Sequence, residues 1–355
     1  MDVTVLRPDE LTAADLGAWS EMQRAELGLA SPFLAGEFTR AVGRRRATAR
    51  VARLREDGDA VGFFPFERHA LGAGKPIGSG FCDCQGLIHR PGLDWDPVDL
   101  LGACGLALWE YDHLAAGQTP FERAGTPRAR AASPVMELSG GHQAYLERLR
   151  PKVLRAARGQ ERRLARDVGP LRLDFNAPDP VLLDTLIHWK SAQLRARGER
   201  DPLSQGWFRA LLRELLDLPS ESCSGTLSVL RAGDTPVAIL YGLRSREVYA
   251  TWFPAYDTRF AKYSPGILLH LKCAEAAAER GITHIDMGKG TSRYKDALKT
   301  GDLSVTEGYV GRHTPAAALC RLRMASSRTA HTALNASPRV HRAAVRAVGA
   351  VDRHR

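Results

Sequence analysis

The chain has 355 residues, 44% hydrophobic and 25% charged, a length and apolar content that suit two domains or one large one and exclude wholesale disorder. Its net charge of +10 is concentrated: from Arg312 onward there are nine arginines and one acid, so the rest is nearly neutral. Overall basicity is therefore no argument for a nucleic-acid-binding protein. No apolar run reaches the roughly 20 residues of a membrane span, and Leu100 to Trp109 is about half that. Asp2, Asp9, Glu10 and Asp15 interrupt the start, which lacks the basic-then-apolar pattern of a signal peptide. A cytoplasmic location is expected. Cysteines 82, 84, 104, 223, 273 and 320 are too scattered for a disulfide scaffold, and no Cys-His cluster accompanies the Cys82/Cys84 pair, so free thiols and no metal are expected.

The first half reads as mixed α and β. Val3 to Leu6 is a short strand and Leu11 to Leu27 a helix. Arg50 to Leu54 and Ala60 to Glu67 alternate as a hairpin across "REDGD". "GAGKPIGSGFCDCQGLI" is glycine-rich, but Lys75 is followed by Pro76 rather than Ser or Thr, so a loop joining two strands is expected instead of a phosphate loop. A basic helix follows from His142 to about Val168, broken at Pro151, with apolar residues at helical spacing along one face. It reads either as a solvated helix linking two halves or as a basic rim beside an anionic ligand.

The second half is more regular. Leu171 to Phe175 is a strand, and Pro180 to Ala196 and Gly206 to Leu216 are amphipathic helices. Strands follow at Thr226–Ala232, Pro236–Arg244 and Glu247–Pro254, then a helix from Ile267 to Arg280 ended by Gly281. A strand at Ile282–Met287, a loop entering a short helix and a strand at Ser304–Val310 complete it. The order implies an α/β fold of α+β type, a mixed, mostly antiparallel sheet with flanking helices and one embedded β-α-β unit.

Two segments concentrate chemistry. In Tyr263 to Ile267 a strand gives way through Ser264, Pro265 and Gly266 to an uncharged helix. Proline suits a first turn, glycine admits close approach, and the free N–H groups favour a phosphate or pyrophosphate, with Arg259 and Lys262 adding charge. The alternative is a plain helix start capped by Ser264. Lys262, Tyr263, Ser264, Pro265 and Gly266 are thus the candidate cofactor-binding residues. The second segment, "DMGKG" followed by "SRYK", places a carboxylate, a phenol and cations at the end of a buried strand. Acyl transfer needs a base and a donor for the departing thiolate. Asp286 suits the first role and Tyr294 the second, with Lys295 in the same cluster; these three are the candidate catalytic residues. Asp286 could equally be a structural acid paired with Lys289 or Arg293. Trp189, Lys190, Trp252, Tyr256, Asp257 and Lys289 are candidates for the acceptor side, although aromatic residues at strand ends are also ordinary core.

"WFPAYD", "YSPG" with its helix and the D-x-G-K-G-x-x-x-Y-K pattern of Asp286 to Lys295 resemble the acetyltransferase domain of CelD/BcsL-type proteins of bacterial polysaccharide synthesis. These are GNAT-related acyltransferases, similar to FemAB-type aminoacyl ligases. "FCDCQGLI" resembles the family's "DYQGLI"-like segment, with Cys84 where tyrosine is usual. The resemblance implies tandem GNAT-like folds, a degenerate N-terminal one over residues 1–141 and the acetyltransferase domain over 171–312; the residues themselves add the basic linking helix over 142–170 and an Arg-rich tail over 313–355, partly disordered or helical. It implies acyl-CoA (acetyl-CoA) as co-substrate, its pyrophosphate at Tyr263 to Gly266, and a sugar, glycan or cell-envelope precursor as acceptor.

"YSPG" is poorer in Arg, Gln and Gly than the usual GNAT pyrophosphate loop. An aminoacyl-tRNA-dependent ligase is therefore the alternative, with the basic helix and tail following an RNA backbone. A non-catalytic scaffold in envelope-polymer synthesis is a third reading. In it the tail, weakly amphipathic at Ala316–Met324 and Val340–Val351, touches an anionic membrane at its inner face or a partner.

Overall fold

The computed structural model describes residues 1–336, with side chains described through residue 325. Among these residues thirteen strands join in one sheet. The first half supplies β1 (Asp2–Leu6), β2 (Ala49–Glu56), β3 (Asp59–Arg68), β4 (Ala73–Pro76), β5 (Ile88–His89), β6 (Leu108–Leu114) and β7 (Thr126–Glu137). The second supplies β8 (Leu171–Asp174), β9 (Ser224–Ala232), β10 (Thr235–Arg244), β11 (Val248–Tyr256), β12 (His284–Asp286) and β13 (Gly301–Gly311). The order is β1-β2-β3-β4-β6-β13-β7-β12-β11-β10-β9-β8, with β5 beside β3. Only β4/β6 and β11/β12 pair in parallel among these strands. The mixed, largely antiparallel sheet with flanking helices is the architecture expected from the order of elements.

Sequence patterning explains most elements. The helix Ala13–Ala25 begins where Thr12 accepts from the Asp15 N–H and Asp15 reciprocates to Thr12. The break at Pro151 divides the basic segment into helices Gly141–Arg148 and Pro151–Asp167. The run Val237–Leu243 in β10 is apolar without alternation because it is buried on both faces. Gly206–Leu216 buries Phe208, Leu211, Leu212 and Leu215, one face of a helix.

Two expectations are revised. The glycine-rich loop contains a strand of its own, since β4 pairs with β3 and β6. The strand expected at Ile282–Met287 contracts to three residues: Ile282 N–H still closes the preceding helix on Ala277 O, and Met287 N–H turns to Pro134 O. The tail reading is divided by the described range. Ala316–Met324 lies in a helix, Pro315–Ala336, that buries Ala317 and Cys320, whereas Val340–Val351 lies outside the described residues.

The two halves share their sheet and part of their core. β13 lies between β6 and β7, and β7 in turn pairs with β12. One apolar cluster joins Phe33 and Phe38 of the first half to Phe208, Leu211 and Tyr241 of the second. Another lies under the helix Pro265–Ala278 and includes Tyr145, Leu149 and Leu164. Among the described residues no helix is long and apolar enough to cross a membrane.

Candidate functional site

β11 and β12 stay together for three residue pairs, from Val248/His284 to Ala250/Asp286. β11 then runs on to Tyr256 while β12 leaves toward β7, so the two strands diverge beyond Asp286. Thr251 Oγ1 reaches across the point of divergence to Asp286 O at 3.2 Å. At the far end of β11, Asp257 caps the turn Thr258–Tyr263, accepting from Arg259 N–H at 3.0 Å and from its guanidinium. Those bonds hold the Asp257 carboxyl below the usual range. Asp257 is thus a helix-turn cap with a fixed partner, which revises its reading as an acceptor-side group.

Ser264 adopts the left-handed conformation (φ 53°) and swings the chain into the helix Pro265–Ala278. Its side chain does not cap that helix; its carbonyl takes the Ile267 and Leu268 N–H groups instead. Pro265 is buried. Gly266 faces open space, with nothing within 4 Å of where a Cβ would stand. Tyr263 is turned inward: its phenol donates to Asp167 Oδ2 at 2.8 Å, and the Lys262 ammonium lies 4.9 Å from its ring centroid. Tyr263 therefore braces the turn to the basic helix rather than facing a ligand.

Asp286 is fixed by two donors on Oδ1, Ser133 Oγ at 2.6 Å and Gly288 N–H at 2.9 Å, rather than by Lys289 or Arg293. Lys289 instead donates to Glu307 Oε1 on β13 at 2.9 Å and crosses to the first half at Asp112 O, 2.8 Å away. Lys295 folds back onto the loop carbonyls of Gly288 (2.8 Å) and Lys289 (3.1 Å). Burial lowers the Lys295 pKa against the opposing pull of Asp286 and Asp83. Burial pushes the Tyr294 phenol up to about 12, so it keeps its proton, and its ring lies 5.1 Å from that of His270.

The first half brings three residues that the sequence reading did not single out: Asp83, Asp112 and His113. Gln85 clamps their segments, accepting the Asp112 and His113 N–H groups at 3.0 Å while its own Nε2 donates to Asp112 Oδ1 at 2.6 Å. His113 then stands between two carboxylates, with Nδ1 3.1 Å from Asp112 Oδ1 and Nε2 3.7 Å from Asp83 Oδ1. Asp83 Oδ2 is 3.5 Å from the position a Gly288 Cβ would take, which sets it against the loop that carries Asp286 and Lys295. Burial, helped by the charges of Asp286 and Asp112 and opposed by His113 and Lys295, pushes the Asp83 carboxyl up to about 6. The signal was present, because Asp83 lies inside "FCDCQGLI". The neighbouring thiols hold their protons: Cys82 Sγ donates to Cys84 O, and burial raises Cys84 to about 12.

The remaining acceptor-side candidates divide. Lys190 donates to Pro254 O at 3.2 Å, and burial lowers its pKa to about 8. Tyr256 is held through its carbonyl by Gln193 Nε2 at 3.1 Å. Trp252 packs edge-on against Phe33 and Phe208, with centroids at 5.1 and 5.3 Å, and Trp189 packs on the same cluster. These two tryptophans are half-buried and pack against the core that joins the halves.

Comparison with known proteins agrees with this geometry. Residues 151–296 match the family model described as acetyltransferase (GNAT) domain. No curated protein matches the chain by sequence. Among solved structures, L-PGS from Bacillus licheniformis superposes with a TM-score of 0.53 at 12% identity, over 85% of this chain and 94% of that one. FemX superposes with a TM-score of 0.52 at 10% identity, over 86% of this chain and 97% of that one. A C-terminal domain assigned to a lysylphosphatidylglycerol synthetase from Agrobacterium fabrum gives 0.52 at 13% identity, over 86% and 96%. The diverging β11/β12 pair and the helix start beyond it thus lie within a segment similar to an acetyltransferase (GNAT) domain, and the chain as a whole shares its fold with L-PGS and FemX.

Proposed function

We propose that the protein is an acyl-CoA-dependent acyltransferase of the CelD/BcsL type, moving an acyl group, acetyl in the simplest case, to an amine or hydroxyl of a sugar or cell-envelope precursor. The divergence of β11 from β12 carries this reading, with an unobstructed helix start at one end and Asp286 at the other. The residues fit an acyl-CoA. The Gly266 N–H, the positive end of the helix and Lys262 suit its pyrophosphate, and the open space at Gly266 lets it approach. The free edge of β11 beyond Ala250 suits the thioester arm.

Asp83 is the better base of the two carboxylates, since Asp286 Oδ1 is already occupied by two donors. A carboxylate that titrates near 6 can take a proton from an acceptor at neutral pH. The acceptor nitrogen or oxygen forms its bond to the thioester carbonyl and passes its proton to Asp83. The C–S bond breaks, and the thiolate takes a proton from Tyr294 or solvent. A second reading, aminoacyl-tRNA as donor in the manner of FemAB-type relatives, draws on the arginines exposed on the helix Pro151–Asp167.

The test is release of free thiol from acetyl-CoA by the full chain with amino sugars and glycan precursors, run beside a charged-tRNA assay. Acceptor-dependent release that falls at least about 100-fold in Asp83→Asn is expected. Full activity in that variant retires the base, and transfer from charged tRNA alone retires the donor.

A further inference from the structure

We propose that the exposed face of the helix Pro151–Asp167 docks the protein on an anionic phospholipid surface, an inference that does not depend on which acyl donor is used. At 100° per residue, Lys152, Arg155, Arg158, Arg162, Arg163 and Arg166 fall within an arc of about 140° along about 21 Å of helix. All six are exposed. The opposite side buries Ala157 and Leu164 and half-buries Val153 and Leu154 against the core under the helix Pro265–Ala278. The helix is thus held in place by its apolar face and turns its cations outward.

These charges are not neutralised within the protein. Among the described residues, Lys152, Arg155, Arg158, Arg162 and Arg163 make no ion pair or side-chain hydrogen bond; Arg166 alone pairs, with Asp167 at 2.9 Å. The one other acid of the second half of the helix, Glu161, faces away and pairs with Lys272 at 3.5 Å. Like charges at helical spacing repel, and only counter-ions or an anionic partner relieve that repulsion. Arginine supplies five of the six, the side chain best matched to phosphate oxygens.

A second feature favours lipid over nucleic acid. Beside the edge of the basic face lies a cavity of about 170 Å³ whose apolar wall is Leu146, Leu154, Ala157, Leu268 and Leu271 and whose polar lining is His142, Arg158, Glu161, Lys272 and Glu275. Its leucine wall suits the upper part of an acyl chain below a headgroup held by Arg158, since both carboxylates of the lining, Glu161 and Glu275, are paired with Lys272. A nucleic-acid backbone has nothing to place there, and the face presents no aromatic ring for a base to stack on. The helix is also coupled to the candidate site, since Asp167 at its end accepts the Tyr263 phenol. Docking on this face would hold the turn before Pro265 at a fixed position relative to the bilayer.

The test is co-sedimentation of the full chain with vesicles of phosphatidylcholine alone or mixed with phosphatidylglycerol. It compares wild type with the quadruple variant Arg155→Gln, Arg158→Gln, Arg162→Gln and Arg163→Gln, whose fold is checked by thermal unfolding. Wild type is expected to bind only the anionic vesicles, less as salt rises, and the variant to bind at least about tenfold more weakly. A folded variant that pellets like wild type overturns the proposal, because binding then resides elsewhere, as in the arginines beyond Arg312. Duplex RNA that outcompetes anionic vesicles at equal phosphate concentration, and loses this advantage in the variant, overturns it in favour of nucleic acid.

Discussion

The Ser133 hydroxyl donates to Asp286 Oδ1 at 2.6 Å, joining residues 153 positions apart. Ser133 lies on β7 and Asp286 ends β12, so the bond crosses the seam where the two halves share their sheet. A hydrogen bond to a charged group contributes more than a neutral one, and its loss leaves a half-buried carboxylate with one donor fewer on Oδ1. Ser133→Ala is expected to lower unfolding stability by about 1–3 kcal/mol in urea titrations. Acyl transfer should fall with it at constant donor KM, because Asp286 holds the Gly288 loop against which Asp83 is set, while the helix start is untouched. Unchanged stability and turnover would show that Gly288 N–H alone suffices.

Asp83 gives the site a pH signature. Its carboxyl is raised from 3.8 to about 6, so between those values the native state holds a proton that the unfolded chain has released. Its contribution to stability is therefore fully present below about pH 4 and lost as pH rises toward 6. Asp83→Asn cannot ionise and should be more stable than wild type above pH 6, by about 1–2 kcal/mol after allowance for the carboxyl's partial exposure. Activity should move the opposite way, rising in wild type through pH 6 as the base forms and remaining low in the variant. A wild-type profile flat from pH 5 to 8 would remove Asp83 from the chemistry.

The fold was legible because local signals agree with it: the proline at 151, the caps, the apolar run of β10 and the turn at Asp57–Gly58 between the strands of the first hairpin. Asp286 and Lys295 were legible for the same reason, as polar residues crowded behind a buried strand. Asp83 and His113 were less so, because their roles depend on contacts across the seam. His113 faces Asp83 only because Gln85 zips "CDCQ" to the end of β6, a pairing that no periodicity encodes. Asp257 and Trp252 have structural partners that no local pattern announces, Arg259 for the carboxylate and Phe33 with Phe208 for the indole.

Lys190 offers a second titration with the opposite slope. Burial lowers its pKa from 10.5 to about 8, so between these values the unfolded chain binds a proton that the native protein does not. Wild-type stability should therefore rise as pH climbs from 8 to 10.5. Lys190→Met removes the buried amine, loses the bond to Pro254 O, and should flatten that rise. At pH 7 the variant should be no less stable than wild type. A rise of equal slope in both proteins would assign the effect to another group.

Two glycines separate backbone strain from ligand access. Gly288 has φ +77°, in the loop that Lys295 closes. A Cβ there would stand at ordinary contact distance, 3.5 Å, from Asp83 Oδ2, so Gly288→Ala should cost about 1–2 kcal/mol through conformation alone. Gly266 is different: it lies in the first turn of the helix Pro265–Ala278 at ordinary φ, with no atom within 4 Å of a would-be Cβ. Gly266→Ala should hold or raise stability, by up to about 1 kcal/mol, because alanine loses less entropy in a helix. Gly266→Trp should also fold, since its side chain enters open space, yet it would fill the approach to the Gly266 N–H at the helix start. If acyl-CoA binds there, the thermal shift given by coenzyme A in wild type should survive in Gly266→Ala and disappear in Gly266→Trp. A shift of equal size in all three proteins would mean that the donor lies elsewhere on the β11 edge, and the helix start would then be only the end of a helix.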